Sequence, residues 1–111
     1  MKFRWGPLVL GGFALVMSGL ATAEEPDAAK LEKGQALFMS KAVPACAVCH
    51  ALQDAGAAGT IGPDLDALKP SYDQVRAALR DGVGVMPSFA ATLDEDALDA
   101  VAAYVVHATK N

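Results

Sequence analysis

The chain has 111 residues, carries 9 Lys and Arg against 13 Asp and Glu for a formal net charge of −4, and holds two cysteines. An acidic balance disfavours a nucleic-acid surface, which needs a basic footprint. The length allows one small domain, and the sequence shows no internal repeat or low-complexity segment.

The first predicted element is a leader. Lys2 and Arg4 give a positive start, residues 8–20 are mostly apolar, and Ala21-Thr22-Ala23 forms a small-residue cleavage pattern before Glu24. These are the parts of a secretory signal peptide, so residues 1–23 are read as cleaved and residues 24–111 as the exported, periplasmic domain. A retained membrane anchor is the alternative. The run is short against the roughly 20 residues a bilayer demands, and Gly11, Gly12, Ser18 and Gly19 interrupt it. Losing Lys2 and Arg4 leaves 7 basic residues against 13 acidic ones and moves the net charge to −6. A domain this small needs a staple beyond its side-chain core.

A first helix is expected over residues 28–40, with Leu31, Leu37 and Phe38 turned inward and Met39 as core filling. The segment Cys46-Ala47-Val48-Cys49-His50 follows. A disulfide between cysteines three apart would close a tiny loop and constrain the unfolded chain little. A thioredoxin-type motif needs a βαβ setting, and no strand signal surrounds these residues. Structural zinc needs further ligands, and the other histidine, His107, lies far along the chain. C-x-x-C-H is the attachment signature of c-type haem. On a helical turn, thiols at i and i+3 face one side and reach the two vinyl groups of a porphyrin, while the adjacent His50 is placed to bind iron. Covalent haem also supplies the missing staple.

Gly62-Pro63 reads equally well as a simple turn. The next helix starts at Ser71, an N-cap that forms a capping box with Gln74, and stops at Gly82. Met86 sits in the loop after it, loosened by Gly82 and Gly84 and fixed by Pro87, where a thioether is free to reach iron as the second axial ligand. The last helix starts at Asp94, with Glu95 and Asp96 in its first turn, a staple between Leu93 and Leu98, and an apolar stripe through Leu98, Val101, Ala102 and Val105. His107 on this helix reads as a surface residue rather than a competing ligand.

From GQALFMS through CAVCH, IGPDLDAL and MPSF to LDAVAAYV, the chain resembles the class I c-type cytochromes, small bacterial monohaem proteins. The resemblance implies an all-α cytochrome c fold, three to five helices wrapped around one covalent haem c. It implies that the first and last helices cross at Gly34 and Phe38 against Tyr104. It also implies that the Pro63 carbonyl accepts the Nδ1 hydrogen of His50 and that Leu65 packs near it on the ring. The implied site is therefore Cys46, Cys49, His50, Pro63, Leu65 and Met86, with His50 and Met86 on iron. The implied activity is one-electron transfer by a monomer between redox partner proteins, without catalysis. Residues 42–70 are most similar to small periplasmic cytochromes that accept electrons from bacterial sulfite dehydrogenases; a cytochrome c oxidase or another cytochrome is then the acceptor. The alternative is a haem-based ligand sensor or peroxidatic haem with a displaceable distal ligand, which needs a distal polar residue. The loop over residues 82–89 offers only Ser88.

Overall fold

The computed structural model describes residues 26–110, together with Gly6, Pro7, Gly11, Gly12, Ala14 and Leu15. The predicted leader lies almost wholly outside the described residues. No helix among the described residues is long and apolar enough to cross a membrane.

Helix α1 spans Ala28–Ala36, and the Asp27 carboxylate caps it by accepting the Lys30 amide at 2.8 Å. Residues Leu37–Lys41 continue it as a π-helical turn, closed by the Ala42 amide on the Leu37 carbonyl at 3.1 Å. Leu37 and Phe38 are buried and Leu31 is half-buried, but Met39 is 49% exposed, which corrects its assignment to the core. On the helix Met39 falls outside the stripe that Leu31, Gly34 and Phe38 present to the core.

Helix α5, Glu95–Thr109, is the central support. Asp94 caps it by accepting the Ala97 amide at 2.8 Å, and Leu98 and the following Ala and Val residues are buried almost without interruption. A helix apolar on all sides belongs in a core. It crosses α1 at Gly34. A Cβ there would lie 2.1 Å from the Ala100 carbonyl oxygen and 2.6 Å from Tyr104 Cβ, a spacing open only to glycine. The Phe38 and Tyr104 rings meet edge to face one turn on, with centroids 6.0 Å apart. The crossing implied by the resemblance is thus present.

Helix α4, Tyr72–Asp81, opens with the predicted capping box, in which Ser71 accepts from the Gln74 amide and Gln74 from the Ser71 amide. It is tied to α5 by the Arg76–Glu95 ion pair and by the Tyr72 hydroxyl, which donates to Asp99. Asp99 also pairs with Lys30 at 2.7 Å, so one carboxylate joins α1, α4 and α5.

Between α1 and α4 lie two single-turn helices, α2 (Cys46–Cys49) and α3 (Leu65–Leu68), and a minimal antiparallel ladder. Strand β1, Ala51–Leu52, pairs with β2, Ala57–Ala58, with Ala51 opposite Ala58 and Leu52 opposite Ala57. A 3-10 turn at Gln53–Ala55 and Gly56 at φ 62° join them. This ladder qualifies the expectation of no strand near the cysteine motif, although the architecture is otherwise helical throughout.

Candidate functional site

Helix α2 is a single turn. Ala45 enters it in extended conformation, and the His50 amide closes it on the Cys46 carbonyl at 2.9 Å. Cys46 and Cys49, at i and i+3, are both half-buried, are not bonded to each other, and line one cleft. Burial pushes the Cys46 thiol up to about 11, so it is protonated at neutral pH and behaves as an apolar wall group. Among the described residues no cluster of three His, Cys, Asp or Glu comes together.

His50 is held from two sides. Its Nδ1 lies 2.7 Å from the Pro63 carbonyl oxygen, and because a carbonyl only accepts, Nδ1 is the donor of this bond and Nε2 is the ring nitrogen left for another partner. Gly62 lies flat against the ring: a Cβ on it would stand 2.6 Å from His50 Cε1 and 2.9 Å from Nδ1. The Gly62 amide meanwhile donates to the Cys49 carbonyl at 2.7 Å. Gly62-Pro63 is therefore more than a turn, since both residues touch the motif directly. Leu65, just beyond, is buried and lines the cleft. It opens α3, which Asp64 caps through the Asp66 amide at 2.9 Å.

Met86 is half-buried and also lines the cleft. It closes a tight turn in which Val83 and Met86 exchange amide-to-carbonyl bonds of 3.1 and 2.9 Å around Gly84 at φ 56°. Downstream, the Phe89 amide donates to the Leu79 carbonyl at 2.7 Å, and the Ser88 hydroxyl donates to the Arg80 carbonyl at 2.5 Å. The loop carrying Met86 is thus fastened to the C-terminal turn of α4.

The cleft encloses about 770 Å³ and takes its walls from Phe38, Leu65, Leu79, Val101 and Val105, with His50, Gln74 and Asp81 as its polar side chains. That volume lies in the range of about 300–1,000 Å³ typical of small-molecule and cofactor sites. A large planar apolar group is what such walls accept, and two thiols and an imidazole at one edge are what would fix it covalently. The family described as cytochrome C oxidase, cbb3-type, subunit III, matches residues 29–105, well over half of the chain. The chain belongs to this family of c-type cytochromes. A solved structure, the c-type cytochrome SorU from Sinorhizobium meliloti, is similar with 40% identity and a TM-score of 0.72 over 75% of this chain and 94% of that one. No curated protein matches at a significant level.

The cytochrome is a haem-bearing electron carrier whose cofactor is haem c, and Cys46, Cys49 and His50 fit its C-x-x-C-H motif. All six residues singled out from the sequence line the one cleft. Met39 and His107 do not; His107 is exposed on α5, as expected of a surface residue. Sequence reasoning missed Gly62 as the support of the His50 ring and Asp54, whose carboxylate accepts the Tyr104 hydroxyl at 2.6 Å and anchors the ladder to α5. Neither carries a local signal, because the contact of Asp54 spans fifty residues.

Proposed function

We propose that the cytochrome is an exported one-electron carrier with His/Met-ligated iron, shuttling between a dehydrogenase and the respiratory chain. The observation that carries this reading is the cleft shared by the C-x-x-C-H turn and the pinned Met86 loop. Haem c supplies an iron centre that alternates between ferric and ferrous states. In this reading Cys46 and Cys49 hold the ring by thioethers and His50 Nε2 binds iron. The bond from Nδ1 to Pro63 orients the imidazole and raises its basicity. Met86 provides a soft thioether that favours the ferrous state and raises the potential relative to a second imidazole. Leu65 packs against the ring beside the proximal ligand.

Residues 1–23 serve as the export signal, and residues 24–111 work as a periplasmic monomer. Small or apolar residues at the motif, including Ala45, Ala47 and the 60% exposed Val48, offer a surface for brief docking. The similarity of residues 42–70 to the acceptors of sulfite dehydrogenases favours such an enzyme as donor, with a cytochrome c oxidase or another cytochrome as acceptor. A ligand-sensing or peroxidatic role is disfavoured because the Ser88 hydroxyl is committed to the Arg80 carbonyl and accepts the Ala90 amide.

The test is Met86→Ala. Loss of the ferric methionine absorption, a lower reduction potential and new binding of cyanide or carbon monoxide are expected; an unchanged spectrum would remove Met86 from iron. Pull-down of the native protein from periplasm, followed by sulfite-dependent reduction, tests the donor.

A further inference from the structure

Two glycines after the haem-binding turn are glycine for different reasons. Gly56 has φ 62° and nothing within 4 Å of the place a Cβ would take. Gly59 has no positive φ, yet a Cβ on it would stand 2.5 Å from the Cys49 carbonyl carbon, 2.6 Å from the His50 nitrogen and 2.8 Å from the Val48 oxygen. All three are backbone atoms of the attachment turn, so no rotamer change relieves the clash. The ladder brings Gly59 there. Its 3-10 turn is tied to α5 by Tyr104 on Asp54 at 2.6 Å and to α3 by the Gln53 amide on Asp66 at 2.8 Å. Three residues past Gly59, the Gly62 amide bonds the Cys49 carbonyl at 2.7 Å.

We propose that Gly59 is the seat of the haem-attachment turn, a positioning residue whose bare Cα lets the Cys49–His50 peptide settle where Cys49 meets its vinyl group and His50 meets Pro63. The proposal rests on C-x-x-C-H attachment of haem c and is independent of Met86. Attachment at Cys49 adds a thiol across a vinyl group: the S–C bond forms, the vinyl π bond breaks, and the thiol hydrogen goes to the terminal carbon with no net oxidation. A side chain at 59 moves the C-terminal half of the turn and leaves Cys46, at its N-terminal end, within reach.

The test compares full-length Gly59→Ala with Gly56→Asn and Leu98→Ala in a host that attaches c-type haem. Leu98 is buried in α5 but does not line the cleft, so its truncation destabilises without touching the turn. In Gly59→Ala, alkylation and mass spectrometry should find haem on Cys46 with Cys49 free. The ferrous α-band should move to longer wavelength, because the surviving vinyl extends the ring's conjugation. Both controls should keep two thioethers and an unshifted band. Complete attachment in Gly59→Ala, or the same single-thioether product from Leu98→Ala, would overturn the proposal. If Gly59→Ala does not accumulate, alkylation of newly made chain gives the same reading: selective freedom of Cys49 supports it, and equal freedom of both cysteines overturns it.

Discussion

Substitution of Gly34 by alanine places a methyl group in the crossing of α1 and α5. That carbon would lie 2.1 Å from the Ala100 carbonyl oxygen, where ordinary contact begins at 3.4 Å, and 2.6 Å from Tyr104 Cβ. Neither atom belongs to a flexible side-chain end, so the helices must part by about an ångström. Parting them also loosens the Phe38–Tyr104 contact and strains the Lys30–Asp99 pair that spans the same interface. Overpacking of a dense core costs about 1–3 kcal/mol, and two immovable neighbours put this site near about 3 kcal/mol. For a domain of this size each kcal/mol lowers Tm by about 4–8 °C, which gives a fall of roughly 12–24 °C. Thermal melts of the ferric holoprotein by circular dichroism measure it. A loss below about 1 kcal/mol would show that α1 slides freely on α5 and that glycine is not required by the crossing.

Four further outcomes are expected. Tyr104→Phe should cost about 1.5–3 kcal/mol by removing a hydrogen bond to a carboxylate, measured by urea unfolding. Burial and then Asp54 raise the Tyr104 pKa, so its contribution is complete below the ordinary 10.0 and lost as pH climbs above it; Tyr104→Phe should flatten that alkaline decline, to which Tyr72 also contributes. Hydrogen bonds from Lys30 and Tyr72 lower the Asp99 pKa, so its stabilisation is present above the ordinary 3.8 and disappears as pH falls through the folded value; Asp99→Asn should make acid unfolding shallower. Lys69, at φ 47°, occupies a left-handed C-cap, and Lys69→Gly should stabilise by roughly 0.5–1 kcal/mol with an unchanged urea m-value. Reduction by the native donor should slow with salt, as the Debye length falls from about 10 Å at 0.1 M to about 3 Å at 1 M, if the acidic excess steers docking; stopped-flow rates that stay flat would assign docking to the apolar rim.

Local chemistry was readable in advance wherever one residue type meets one geometric demand. Ser71 with Gln74 and Asp94 with Ala97 are capping arrangements complete within four residues, so sequence alone announces them. The five-residue attachment motif is equally self-contained. Residue type alone places Met39 in the core, whereas its position on the helix falls outside the stripe of Leu31, Gly34 and Phe38, and it is exposed there. The ladder was invisible because two-residue strands of alanine and leucine leave no alternation to detect. The bond from His50 to Pro63 joins residues thirteen apart and was accessible only through family resemblance. The spatial role of Gly59 leaves no trace in its own backbone angle, so only the folded chain reveals it.

The contact of Gly34 with Ala100 and Tyr104 also bears on the order of folding. It joins segments more than sixty residues apart, and closing a loop of that length costs about 4 kcal/mol of chain entropy before any packing is gained. Phe38, His50, Leu65, Leu79 and Val101 all line the cleft, so a guest there would divide one long closure into several short ones. The apoprotein should therefore fold slowly, with its terminal helices meeting late, while haem acts as a template that brings them together early.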